Sequence, residues 1–263
     1  MLKMLPIEYK EHEIFKQLTD YSSFYESLSF NVMSFVTPGT QAIINLDTYL
    51  YSSIRGTLES MKTILENGRI NDAYALLRKY HESVAINAYV MVFIEENIDT
   101  DNYFKNKINY WLQGKESLPE YGPMMQTIRN YKRLDVINHL LHGENKYKKL
   151  RDRCNNHLHY NFFDNVLLND NEIYNDKRVS VLNVLSQDIK DVFILHFIYT
   201  FTLSGHYMAS SDYLDYLEMG QTPPEDSQFW VAPFVQDIFD SVIKPNRPDL
   251  AKELIQSTSM FLK

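Results

Sequence analysis

Apolar residues recur along most of this chain at steps of three and four, the period of an amphipathic helix. From Thr40 to Glu66 they fall at Leu46, Tyr49, Leu50, Ile54, Leu58, Met61, Ile64 and Leu65. Pro38-Gly39 interrupts the chain before this stretch, and Asn67-Gly68 offers a left-handed stop after it. A second stripe, Ala73, Leu76, Leu77, Tyr80, Val84, Ala88 and Met91, predicts a helix from Ile70 to Glu95. Two long helices joined by a few residues must run antiparallel, so the pattern predicts a helical hairpin. Residues 1–36 are helical in pattern too, through Ile14, Leu18, Tyr21, Tyr25 and Leu28, and read as an N-terminal appendage.

Beyond Asp99-Thr100 the predicted elements shorten. A helix over Asn102–Gln113 carries Phe104, Ile108, Trp111 and Leu112, and residues 114–123 read as loop because Pro119, Gly122 and Pro123 break it. Short helices follow over 124–131 and 134–142, then a longer one from Glu144 to Phe163. Residues 164–177, rich in Asn and Asp, read as loop. A long helix is predicted over 178–207, with continuation toward Leu217 past the weak point at Gly205. After Pro223-Pro224, residues 230–262 form a pair of short helices split by Pro245 and Pro248. No segment sustains two-residue alternation between hairpin turns, so the expected fold is all-α. It is an antiparallel bundle over 37–218 with short helices over 1–36 and 219–263.

Composition changes this picture in three ways. Net charge is −8, which argues against a surface built wholesale for nucleic acid. Yet residues 129–153 hold eight Lys or Arg against Asp135, Glu144 and Asp152, so one basic region stands out. The single cysteine, Cys154, excludes an intramolecular disulfide and points to a reducing compartment, and with no signal peptide at Met1 the expected location is cytoplasmic. Val192–Met208 is the one apolar stretch approaching a membrane span. It falls short of the ~18–20 strongly apolar residues required, so a buried helix is expected and no membrane partner.

The chemistry concentrates in Arg151-Asp-Arg-Cys-Asn-Asn-His-Leu-His-Tyr-Asn161. Only Cys154, Leu158 and Tyr160 there suit apolar filling. Arg makes forked contacts to phosphate oxygens and His exchanges protons near neutral pH, so together they suit a site that holds a phosphate and moves a proton. On a regular helix Arg153 and His157 share a face, and Arg153, Asn156, His157, Tyr160 and Asn161 would present together. A metal site from His157 and His159 is disfavoured, since side chains two apart point about 200° from each other. Upstream, Arg78 and Glu82 are four apart and suit a surface ion pair. If the second hairpin helix packs on the cluster helix, Glu82 would instead sit near Arg153 or His157 and tune the imidazole. The plain alternative is that the cluster hydrogen-bonds its neighbours in a polar seam.

A helical hairpin followed by a late helix carrying Arg, a polar spacer and His resembles the HEPN superfamily, whose signature is R-x(4–6)-H. Arg151-Asp152-Arg153-Cys154-Asn155-Asn156-His157 satisfies it, and Ala73–Glu82 looks like the second helix of bacterial HEPN-like proteins of abortive-infection type. The resemblance implies a metal-independent, cofactor-free endoribonuclease, as in a toxin or phage-defence effector, that leaves 2′,3′-cyclic phosphate ends on RNA. It implies Arg151 and His157 as catalytic residues, supported by Arg153, Asn156, Glu82 and His159, in a homodimer. His157 would then face solvent and matter little to stability. The alternative on the same scaffold is a non-catalytic nucleotide-binding or protein-interaction module.

Overall fold

A computed structural model of the chain describes residues 5–34, 46–97, 107–143, 145–170, 172–173 and 175–263. Every regular element among them is helical, apart from one isolated antiparallel bridge between Ala209 and Val231. The all-α expectation holds. The helices are α1 (Ile7–Lys10), α2 (Ile14–Ser34), α3 (Leu46–Glu66), α4 (Ile70–Asn97) and α5 (Lys107–Leu112). There follow α6 (Tyr121–Asn130), α7 (Asp135–His142), α8 (Lys146–Leu158), α9 (Phe163–Leu167) and α10 (Arg178–Leu203). The chain closes with α11 (Asp212–Glu218), α12 (Pro233–Ile238), α13 (Lys244–Asn246) and α14 (Pro248–Ser257).

Two compact units are woven from discontinuous segments: one holds residues 1–26, 50–84 and 142–193, the other 27–49, 85–141 and 194–263. In the first, the stripes of α2, α3 and α4 bury Leu18, Tyr21, Tyr25, Ile54, Leu58, Met61, Leu77 and Tyr80 to 2 % exposure or less. Rings do much of the filling. Tyr21 stacks on Phe193 at 3.8 Å between centroids, and the hydroxyls of Tyr25 and Tyr80 bond at 2.8 Å. The α3–α4 connection is the one expected from Asn67-Gly68: Gly68, at φ 78°, donates to Leu65 O at 2.8 Å and Arg69 donates to Ile64 O at 3.1 Å. That pair of bonds satisfies the last carbonyls of α3 and turns the chain back.

The second unit gathers Met124, Met125, Ile128, Leu134, Ile137 and Leu141 around the last part of α10, where every residue from 194 to 203 is buried. A helix apolar on all sides is a core helix. No helix of the described residues is long and apolar enough to cross a membrane. A polar network lies inside this unit. Asp47 accepts from Asn87 and from the Tyr207 hydroxyl, both at 2.7 Å, and Asn87 Oδ1 bonds His196 Nε2 at 2.9 Å.

Several expectations need correction. Residues 40–45, 102–106 and Glu144 lie outside the described residues. Tyr49, placed in the α3 stripe, is 65 % exposed. Residues 121–123 are the first turn of α6 rather than loop, because the unpaired N–H groups of a first turn leave room for Pro123. The helix predicted through Phe163 stops at Leu158, and residues 163–167, read partly as loop, form α9. Arg178, 1 % exposed, donates its guanidinium to Leu167 O, Leu168 O and Asp170 O and so caps the end of α9. The long helix ends at Leu203, and α11 is a separate element rather than its continuation. Pro245 does not split the C-terminal helices. A wide π turn over Phe239–Ile243 absorbs it, and the break falls at Arg247.

Candidate functional site

All of the cluster residues belong to the first unit, on α8 and the turn after it. The buried side of α8 is Tyr147, Leu150, Cys154 and His157, a helical stripe at steps of three, four and three. His157 therefore occupies a core position. Its ring is 8 % exposed and stacks on Tyr74 with centroids 3.8 Å apart and planes 8° from parallel. Nδ1 bonds Asn71 Oδ1 at 2.9 Å, and because that oxygen only accepts, Nδ1 carries the proton. Burial pushes the His157 pKa down to about 4, so the ring is neutral at physiological pH. The expectation of a solvent-facing His157 is thereby corrected.

Arg151 and Glu82 do meet, at 3.3 Å, and Glu82 also takes Arg78 at 2.7 Å. Arg78 reaches across to Asn155 Oδ1 as well. The pairings 71–157, 78–155 and 82–151 descend on one helix as they rise on the other, so α4 and α8 pack antiparallel. Glu82 thus pairs with Arg151, not with Arg153 or His157. Arg151 and His157 have different anchors, Glu82 and Asn71, eleven residues apart on α4.

Arg153 turns to α10. It grips Asp188, 2 % exposed, through Nε at 2.8 Å and through Nη2 on the other carboxylate oxygen. Burial raises the Asp188 carboxyl pKa and Arg153 opposes the rise. Lys146 holds Asp191 beside it at 2.6 Å. Asn156 serves the helix end: its side chain accepts from Asn161 Nδ2 and its carbonyl from Asn165 Nδ2, each at 2.9 Å. Tyr160, at φ 50°, is the left-handed residue of the same closing motif, with Tyr160 N on His157 O and Asn161 N on Asn156 O. A large side chain in that conformation is uncommon and strained. His159, Leu158 and Tyr160 are all exposed, so of the three residues expected as filling only Cys154 is buried. Burial also pushes its thiol up to about 12, which leaves it unreactive.

Sequence reasoning missed the partners. Asn71, Tyr74, Asn155 and Asp188 complete the arrangement, and the signal for the first and last was a polar residue on an otherwise apolar stripe. Among the described residues no group of three His, Cys, Asp or Glu is placed to hold a metal ion. Large apolar side chains stand open on this surface beside the exposed His159, Asn161 and Asp164. Phe163 is 73 % exposed, Phe162 60 %, Tyr160 49 %, Leu158 46 % and Val166 39 %. No protein-family model matches the chain, and no curated protein or solved structure matches it either.

Proposed function

We propose that this chain is a non-catalytic interaction module on a HEPN-like helical scaffold, and that it pairs with a second copy of itself through residues 158–166. The observation that carries this reading is that Arg151, Arg153 and His157 are bonded within the scaffold while five large apolar side chains beside them stand in solvent. Contiguous exposed apolar surface marks an interaction site. With an aromatic side chain offering roughly 150–250 Å², these five expose about 500 Å² per copy. Two copies would bury about 1,000 Å², at the lower edge of specific interfaces. Charge favours self-pairing here. Across residues 158–166 the one charged residue is Asp164, ion-paired with Lys177 at 2.7 Å, whereas copies carrying −8 repel elsewhere.

Light scattering across the micromolar range tests it. We expect a species twice 31.1 kDa, converted to monomer by the double variant Phe162→Asp, Phe163→Asp with little change in melting. A wild-type monomer throughout would refute the pairing. Mixed RNA in EDTA tests the other half, and no cleavage is expected. Cyclic phosphate ends made by the wild type and lost in Arg151→Ala would restore the ribonuclease.

A further inference from the structure

The second unit carries a groove of about 370 Å³, remote in sequence from residues 158–166. We propose that it binds a free α-amino acid with a large apolar side chain, an inference that does not rest on the self-pairing. Three segments of chain build the groove. Ser210 N donates to Trp230 O, Ala232 N to Met208 O and Phe261 N to Phe229 O, each at 2.8 Å. Those bonds fix the backbone that presents two rings, Trp230 at 37 % and Phe261 at 46 % exposure. Val231 and Pro233 extend the apolar lining, and Phe261 leans on Phe229 with centroids 5.7 Å apart. The volume falls in the range of small-molecule sites, which are mostly apolar with a few placed polar groups. A lining fixed in advance spares the ligand much of the ordering cost of binding.

Two charges complete the groove, Asp212 and Lys263. The hydroxyl of Ser210, itself 8 % exposed, donates to the Asp212 carboxylate, and Asp212 N donates back to Ser210 Oγ at 3.2 Å. Lys263 is set by its main chain: its N donates to Gln236 Oε1 at 3.2 Å, and its O accepts from Gln236 Nε2 at 2.8 Å. Gln236 Nε2 also donates to Asp240 at 3.0 Å, so this carboxamide positions Lys263 and has no proton left for a ligand. Neither Asp212 nor Lys263 makes an ion pair with another described residue.

A carboxylate and an ammonium beside two rings match a molecule that carries one of each next to an apolar group. Asp212 takes the α-ammonium, Lys263 Nζ takes the α-carboxylate, and Trp230 with Phe261 covers the side chain. Other occupants leave a charge unmatched, and that is what selects against them. A sugar answers neither charge, and a phosphate ester sets its negative charge beside Asp212. A residue inside a peptide has lost both of its α-charges.

Titration calorimetry on the full chain tests the proposal, with L-phenylalanine, phenethylamine, 3-phenylpropionate and L-alanine as separate ligands. L-Phenylalanine is expected to bind at least tenfold more tightly than each of the others. Two of them lack one charge-assisted bond, worth about that factor or more, and L-alanine lacks the ring. Asp212→Asn should bring L-phenylalanine to within about threefold of 3-phenylpropionate, and Lys263→Gln should bring it to within about threefold of phenethylamine. Both side chains are exposed, so the melting curve should stay in place; if losing the Ser210 bond shifts it in Asp212→Asn, Lys263→Gln still decides. The proposal is overturned by no L-phenylalanine binding up to about 5 mM, beyond the weakest meaningful affinity. It is equally overturned if any of the other three ligands matches L-phenylalanine, or if Lys263→Gln keeps the wild-type preference.

Discussion

Replacing His157 with Ala separates a structural imidazole from a catalytic one, and its effect can be estimated. The substitution removes a ring that is 8 % exposed and stacked at 3.8 Å on Tyr74. Truncating a buried ring of this size leaves a cavity, and with the lost stacking costs about 2–3 kcal/mol. It also strands the Asn71 carboxamide, 4 % exposed, which adds about 1 kcal/mol or more. The total, about 3–4 kcal/mol, corresponds to a melting point lower by about 6–16 °C for a chain of this size. His157→Phe keeps the stack and should lose only about 1–2 kcal/mol. Thermal and urea unfolding followed by circular dichroism measure both. The pH dependence follows from the same burial. The unfolded imidazole protonates near 6.5, whereas the folded one resists down to about 4. The folded pKa is depressed, so this contribution is complete above pH 6.5, falls away as pH drops toward 4, and amounts to about 3 kcal/mol at most. His81 and His196, pushed to about 3 by burial, titrate with the same sign, so His157→Phe should reduce the acid slope without abolishing it. A His157→Ala protein melting within about 1 °C of wild type at pH 7 would refute this account, because a solvent-facing helical His contributes little.

Two further outcomes test the scaffold around the cluster. Arg153→Ala should destabilise the fold by about 3 kcal/mol, read as a lower urea midpoint, because Asp188 at 2 % exposure would lose both of its hydrogen bonds to the guanidinium; adding Asp188→Leu should recover much of the loss, and no recovery would show that the pair does not act as a unit. Gly68→Ala should cost about 1–2 kcal/mol because φ 78° is strained for any residue with a Cβ, and an unchanged melting point would mean that the α3–α4 turn relaxes.

The parts of the fold that periodicity could reach came out correctly. The stripes of α2 and α4, the Asn67-Gly68 turn and the buried α10 all follow from local spacing and one left-handed glycine. What periodicity could not reach was set by distant partners. The end of α8 depends on Tyr160 entering a left-handed conformation that its side chain disfavours, which no propensity predicts. The end of α9 is capped by Arg178, whose guanidinium also donates to Gly68 O at 2.9 Å, a partner 110 residues away in sequence. Pro245 was legible as a residue but not as an event, since a preceding π turn decides whether it breaks the helix.

The cluster shows how much of a residue's setting its type leaves unsaid. Arg and His suit phosphate chemistry only while the guanidinium fork and the ring nitrogens face a ligand, and neither condition can be read from the helix that carries them. The neighbouring helices carry the counter-signal. Asn71 on α4 and Asp188 and Asp191 on α10 are polar residues buried among apolar ones, and a buried polar group requires a partner. The helix beside both of them has Lys146, Arg153 and His157 to offer, and those are the residues that answer. With these pairs and Arg151–Glu82 formed, Arg151, Arg153 and His157 are each bonded to a neighbouring helix. The uncharged run that ends α8 and enters α9 is left out of these pairs, because no neighbouring stripe asks for it. Its exposure is what the self-pairing proposal rests on, and the Phe162→Asp, Phe163→Asp variant decides it.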